Sequence, residues 1–359
     1  IELILKEKYD LIILFDAFTF EYAQSWTGLN FSKLKAMEIP IVSLDEYEYT
    51  KAGYTLDYYG MFVKTLPSLL EQCDYIVKNC PLSMPKSKGK LMFQGKKANE
   101  FYYKAFDELH EIDEKEENCI KSTYLTQANK NAKLVFFTTS KWEVEGAYSF
   151  AAQNSLASWI GVILHEYLKE LNTDIILLHI GKENWRIPKK DGKVTYIHHD
   201  QLPVEAFEKT LQASDLFVTL NIVSITLSKA VMLGVPSLVL NNSKIIEFNR
   251  FKEKLKERPL WYQNMARDVS KIYPFSASMF GWNNFLKTVL RHNPYLESFT
   301  RTDMFNYKKT KQVLRDLLFD ESIRGNKITA MSDFARKYYE LNDSQTILDA
   351  IFDDIERKE

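Results

Sequence analysis

The stretch Leu211–Ser243, LQASDLFVTLNIVSITLSKAVMLGVPSLVLNNS, holds two apolar runs separated by a polar kink and an amphipathic segment. Asp215–Asn221 (DLFVTLN) is short and almost continuously apolar, as expected of a strand buried on both faces. Ser224–Gly234 (SITLSKAVMLG) has helical spacing and ends on glycine. Val235–Asn242 (VPSLVLNN) reads as a second strand. Strand, helix and strand in so few residues make the unit of a parallel sheet with a right-handed crossover. In such sheets ligands bind beyond the carboxyl ends of the strands. Unpaired N–H groups and the positive end of the helix dipole are presented there. Asn221, Ser224 and Thr226 fall at that junction. Ser224 is placed as the helix N-cap, with Thr226 and Ser228 adding hydroxyls. The set suits a diphosphate; a capped helix without a ligand is the plainer alternative.

Working outward, the same alternation recurs on both sides. Upstream, Tyr9–Phe18, Ile39–Asp45 and Asp74–Leu82 read as strands, with helices at Asn30–Glu38 and Thr65–Cys73. The Lys/Gly/Pro-rich Ser83–Lys97 reads as a loop, and the charged Ala98–Cys119 as one helix. Polar Thr126–Lys133 fits a linker. Beyond it, strands are expected at Lys133–Ser140, Thr173–Gly181 and Lys193–Asp200, and helices at Ser155–Leu171 and Pro203–Ser214. Val235–Asn242 reads as the last clear strand, followed by an aromatic-rich helical region. The expected class is therefore α/β, with two Rossmann-like domains of parallel sheet facing across a cleft. Residues 1–130 would form the first domain, 131–340 the second and 341–359 a C-terminal helix. Because the chain opens on a helix-like tail, IELILKEK, the first domain is expected to lack its first strand.

Length and composition agree with two globular domains: 359 residues, 45% hydrophobic and 26% charged, enough for sizeable cores. The net charge of −1 is spread evenly, which speaks against a nucleic-acid partner. Three cysteines without a CxxC pair fit a reducing, cytoplasmic setting and argue against a structural cysteine-zinc site. No apolar run is long enough to span a membrane. No GxGxxG follows an expected strand, and GxxxxGK[ST], GxSxG and HExxH are all absent, so dinucleotide, P-loop, serine-hydrolase and zincin chemistry lose support.

Other polar strand tips extend the candidate site. Ser140, Lys141 and Trp142 follow the first strand of the second half. His198 and His199, with Leu202 after them, follow the third. Adjacent histidines on a strand point to opposite faces, so they make a poor chelating pair. His110, His165, His179 and His292 read as structural, and Asp353–Asp354 as a solvated pair.

The string Tyr196–Leu240, YIHHDQLPVEAFEKTLQASDLFVTLNIVSITLSKAVMLGVPSLVL, resembles the donor-binding half of GT-B-fold glycosyltransferases. The resemblance implies a nucleotide base held near His198, His199 and Leu202. It implies a diphosphate on Asn221, Ser224, Ile225 and Thr226, and a helix stop at Gly234-Val235-Pro236. It implies a nucleotide-diphosphate sugar as substrate, an unknown acceptor, and neither a metal nor a further cofactor. One position departs from the family pattern. Lys229 stands where many members carry a ribose-binding glutamate; a lysine accepts no hydrogen bond but can meet a phosphate.

Glycosyl transfer to a hydroxyl needs a base at the acceptor and help for the leaving diphosphate. Asp16 and Asp45, each ending a strand of the first half, are the candidate bases. Lys141 is a candidate to neutralise the diphosphate and Trp142 to stack on sugar or base. The expected activity is a metal-independent hexosyltransferase. The alternatives are a non-catalytic GT-B-fold binding protein, a nucleotide-sugar epimerase, and an interaction protein using Trp261, Tyr262, Phe275, Phe280 and Trp282.

Overall fold

A computed structural model describes residues 9–45, 48–56, 62–85, 99–106, 109–125, 131–139, 154–241, 252–269 and 286–358. The chain divides into two compact units, one of residues 1–108, 285–295 and 336–359, the other of 109–284 and 296–335. Each is built on a parallel sheet, so the fold is α/β. Ser140, Lys141, Trp142, Phe275, Phe280 and Trp282 lie outside the described residues.

In the first unit the strands are β1 (Ile12–Leu14), β2 (Ile41–Leu44), β3 (Tyr54–Leu56), β4 (Phe62–Lys64), β5 (Tyr75–Cys80) and β6 (Asn99–Lys104). The main sheet runs β1-β2-β5-β6, all parallel, while β3 and β4 form a separate antiparallel ribbon. Ala98–Cys119 is not one helix: Asn99–Lys104 is β6, and helix begins only at Glu114. Aromatic NEFYYK fits a pleated surface better than a helix, and Phe101 is buried with Val42, Tyr75 and Val77 under Ile347 and Ile351 of the C-terminal helix Ser344–Glu356. That helix also corrects the reading of Asp354 as merely solvated. Its carboxylate accepts from the Tyr75 hydroxyl at 2.9 Å and from Asn99 Nδ2 at 3.2 Å.

The second unit contains β7 (Lys133–Thr138), β8 (Ile175–Ile180), β9 (Lys190–Asp191), β10 (Val194–His199), β11 (Leu216–Thr219), β12 (Ser237–Asn241) and β13 (Thr300–Asp303). Their order is β13-β12-β11-β7-β8-β10-β9, with only β9 antiparallel to its neighbour. Counted along the chain from the β10 side, the parallel strands run 3-2-1-4-5-6, the Rossmann order. The strand β13 is missing from the sequence reading because TRTD is a polar, outermost strand with no apolar run. The helices that position the site are α1 (Asn154–Lys169), α2 (Val204–Gln212) and α3 (Ile225–Met232). On α1, Leu156, Ile160, Ile163, Leu164, Tyr167 and Leu168 recur at helical spacing and bury one stripe on Val135, Phe137, Leu177 and Val194 of the sheet. Burying one such side chain contributes about 1.5–3 kcal/mol, so this stripe fixes α1 against β7, β8 and β10.

Candidate functional site

In the Rossmann order the strand order reverses between strands 1 and 4, here the parallel pair β7 and β11. The crevice at their carboxyl ends is where such sheets bind ligands. After β11 comes a tight polar turn. The side chain of Asn221, only 8% exposed, accepts from Val223 N at 3.0 Å, and Asn221 N donates to Thr219 Oγ1 at 3.2 Å. Ser224 N donates to Asn221 O at 3.3 Å, which delivers the chain into α3. Ser224 occupies the N-cap position with extended backbone, φ −62° and ψ 128°, but its hydroxyl makes no capping hydrogen bond. The N–H groups of the first turn are thus left without the side-chain acceptor that an N-cap serine usually supplies. Thr226 is half-buried and Ile225 is 66% exposed on the same turn. The far end of α3 is closed by Gly234 at φ 69°, with Val235 N donating to Ala230 O at 2.9 Å. The left-handed backbone there explains the glycine of the Gly-Val-Pro element.

Lys229 does not reach toward this turn as a free cation. Its ammonium is ion-paired with Glu208 of α2, both side chains being part-buried. Asp215, at the opposite end of β11, ties the amino ends of the strands together: Oδ2 accepts from Leu134 N at 2.8 Å and Oδ1 from Lys133 Nζ at 3.2 Å. Its role is structural.

Across β7, β8 and β10 the residues Phe137, His179 and His198 stand in register in one row. His198 stacks on His179 with ring centroids 5.0 Å apart and planes at 18°. Its Nε2–H donates to Gly181 O at 2.8 Å, while His199, on the other face, is exposed. Leu202 is half-buried just before α2. Between these groups lies a buried chain of hydrogen bonds. Thr139 Oγ1 is 3.0 Å from Glu183 Oε2 and 3.0 Å from His179 Nε2, and His179 Nδ1 is 3.2 Å from the Tyr196 hydroxyl. A carboxylate only accepts, so the single Thr139 proton goes to Glu183. His179 Nε2 then donates to Thr139, and Tyr196 donates to Nδ1. The imidazole is neutral in this assignment, consistent with burial and the neighbouring His198 pushing its pKa down to about 3. Gly181 makes the arrangement possible. A Cβ there would lie 2.3 Å from Thr139 Oγ1 and 2.9 Å from His179 Nε2. Trp185 covers His179 at 4.6 Å and rests on Gly161, where a Cβ would come within 2.1 Å of the indole.

From sequence alone His179 reads as structural, and Thr139, Gly181, Glu183, Trp185 and Tyr196 do not stand out. The available signal was a histidine within the apolar run IILLHI followed at once by glycine. Of the expected residues, Asn221, Ser224, Ile225 and Thr226 share one turn. His198 stands three strand spacings from β11, about 14 Å away at 4.7–4.9 Å per spacing. A single ligand touching both would have to lie along the sheet edge over β7 and β8.

In the first unit Asp16 and Asp45 follow β1 and β2. Both oxygens of Asp16 are engaged: Oδ1 accepts from Phe18 N at 2.8 Å and Oδ2 accepts from the Thr19 hydroxyl. It caps the helix Ala17–Tyr22. Asp45 is 2% exposed and accepts from Tyr49 N at 3.1 Å through Oδ1. Burial raises its pKa to about 6 against the pull of Lys78. The Lys78 ammonium bridges Glu48 at 3.4 Å and Glu100 at 3.1 Å. Burial disfavours that charge, but Tyr102, Glu100, Glu48 and Asp45 together hold it protonated, with its pKa above the ordinary value.

Residues 1–355 match the family described as "Family of unknown function (DUF6365)". The chain belongs to this family. No curated protein matches it. Among solved structures, this DUF6365 chain is similar to the spinosyn forosaminyltransferase SpnP, with TM-score 0.47 and 12% identity over 98% of this chain and 77% of that one. It is similar to UGT2 of Phytolacca americana, solved with UDP-2fluoro-glucose and pterostilbene, with TM-score 0.48 and 12% identity over 95% and 75%. It is also similar to a UDP-N-acetylglucosamine 2-epimerase, so described, from Listeria monocytogenes, with TM-score 0.49 and 13% identity over 99% and 77%.

Proposed function

We propose that the second unit binds a nucleotide-diphosphate sugar along the carboxyl edge of its sheet, and that the protein transfers the sugar to an acceptor hydroxyl. The observation that carries this reading is the turn Asn221–Ser224 at the Rossmann switch point, which opens α3 with uncapped N–H groups and two available hydroxyls, Ser224 and Thr226. The resemblance of Tyr196–Leu240 to GT-B donor domains supports it. The diphosphate would lie on the α3 N-terminus, where dipole and N–H groups favour negative charge. The base and ribose would extend toward His198 and Leu202, past Thr139, Gly181 and Glu183.

In the transfer step an acceptor oxygen forms the new bond to the anomeric carbon, the bond from that carbon to the diphosphate oxygen breaks, and the acceptor proton passes to a base. Asp45 fits the base better than Asp16, because Asp16 has both oxygens committed to a helix cap. A pKa raised to about 6 brings a carboxylate nearer the range in which general bases work. The reading requires neither a metal nor a cofactor beyond the substrate, and assigns the protein to the cytoplasm. Among the described residues, no helix is long and apolar enough to cross a membrane.

One observation favours a second reading, a protein that binds the nucleotide without transferring sugar. Lys229 stands where the family resemblance places a glutamate, and it is paired with Glu208 rather than left free for phosphate. Thermal unfolding against UDP-, GDP-, TDP- and ADP-sugars tests both. A ligand at 100 times its Kd adds about 2.7 kcal/mol of stability, and the Ser224→Ala, Thr226→Ala double variant should lose that gain. Absence of stabilisation by every nucleotide would overturn both readings. Binding without slow hydrolysis of the donor would leave only the second.

A further inference from the structure

Away from the carboxyl edge, α1 and the β9–β10 hairpin bring together His165, Glu166 and Asp191, with one donor atom of each within 4.8 Å of the others. Among the described residues no other three His, Cys, Asp or Glu side chains converge in this way. His165 is 2% exposed, and its Nε2 is buried with no hydrogen-bond partner. A buried polar atom left unpaired is costly and calls for an explanation such as an ion. Asp191 lies directly opposite Val194 in the hairpin. It therefore shares the face of β10 that α1 covers. The local charges are unbalanced. Lys169 Nζ sits 2.6 Å from Asp191 and 4.0 Å from Glu166, so one ammonium faces two carboxylates. The nearby Glu170 gives no help, being engaged by Trp261, Tyr307 and Lys311.

We propose that His165, Glu166 and Asp191 bind one divalent transition-metal ion of the zinc class, which enters by displacing the Lys169 ammonium. One imidazole nitrogen and two carboxylate oxygens are a donor set suited to zinc, and poorly suited to magnesium, which prefers oxygen and water. Donors on a single zinc stand about 3–4 Å apart at bond lengths near 2.0–2.2 Å. A dication would neutralise both carboxylates, take one imidazole nitrogen of His165 as a ligand and pin the hairpin to α1. The expectation of no metal rests on the family resemblance, the cysteine spacing and the absence of HExxH, with His165 read as structural; none of these weighs His165 and Glu166 together with Asp191.

The test is calorimetric titration of the chelator-treated, full-length protein with zinc chloride alone. One equivalent is expected to bind. Asp191→Asn and His165→Gln should each weaken binding at least tenfold, and Lys169→Met should strengthen it about tenfold. Magnesium chloride should not compete. Asp191 lies on a part-exposed hairpin, so its variant remains informative should His165→Gln fail to fold. Three outcomes overturn the proposal: no saturable binding, binding indifferent to both ligand substitutions, or binding confined to Lys169→Met.

Discussion

Replacing Asp45 with asparagine separates stability from the proposed chemistry. Burial lifts the Asp45 carboxyl from its ordinary 3.8 to about 6 in the folded chain. A group whose folded pKa is raised contributes its full stability below the unfolded pKa, and that contribution is lost as pH rises through the folded value. At 1.36 kcal/mol per pH interval, the span from 3.8 to about 6 amounts to about 3 kcal/mol, lost between roughly pH 4 and 6. Asparagine keeps an oxygen for Tyr49 N and carries no charge to desolvate. Asp45→Asn should therefore be more stable than the natural chain by up to about 3 kcal/mol at pH 7.5, and nearly equal to it at pH 4. Urea unfolding at both pH values measures the difference between the two proteins, in which other titrations largely cancel. Under the proposed function the same variant loses transfer while nucleotide binding by the second unit persists. A variant less stable than the natural chain at pH 7.5 would refute the reasoning, because Asp45 would then be held mainly by its attraction to Lys78.

Two further substitutions probe the second unit. Gly181→Ala would push the Thr139 hydroxyl out of place. Overpacking of about 1–3 kcal/mol and an unsatisfied buried polar group of about 1–3 kcal/mol should together cost about 2–6 kcal/mol in urea unfolding; a loss under about 1 kcal/mol would contradict the bond chain through His179. Glu208→Gln removes the partner of Lys229. The pair is part-exposed, so stability should change by less than about 1 kcal/mol. Nucleotide-diphosphate affinity at low salt should rise severalfold, and a fall instead would place the Glu208 carboxylate itself on the ligand.

Sequence and structure agree best where the pattern is physical and local. The apolar runs of β7, β8, β11 and β12 announce strands because both of their faces are buried, and Gly234 announces the end of α3 because its backbone is left-handed. Polar TRTD in β13 is silent for the opposite reason: an outermost strand is held by its one neighbour and needs no apolar run. NEFYYK was masked by the charged residues that follow it. The turn after β11 was legible because polar residues between a strand and a helix are conspicuous. The bond chain through Thr139, His179, Glu183 and Tyr196 was not, because its members lie on β8, on β10, just past the end of β7 and in the loop after β8, and meet only in the register of the sheet. The same holds for Asp191, which meets His165 only through a hairpin.

The C-terminal helix has a consequence for how the chain acquires its shape during synthesis. The first unit's strands are made before those of the second, yet Val42, Tyr75, Val77 and Phe101 are covered by Ile347 and Ile351, and Tyr75 bonds to Asp354, 279 residues later. On the ribosome this apolar sheet face must wait until Ile351 has been made before its native cover exists. The second unit's Rossmann sheet, apart from β13, is drawn from one uninterrupted span. Vectorial synthesis should therefore complete that sheet's centre before the earlier strands acquire their covering helix.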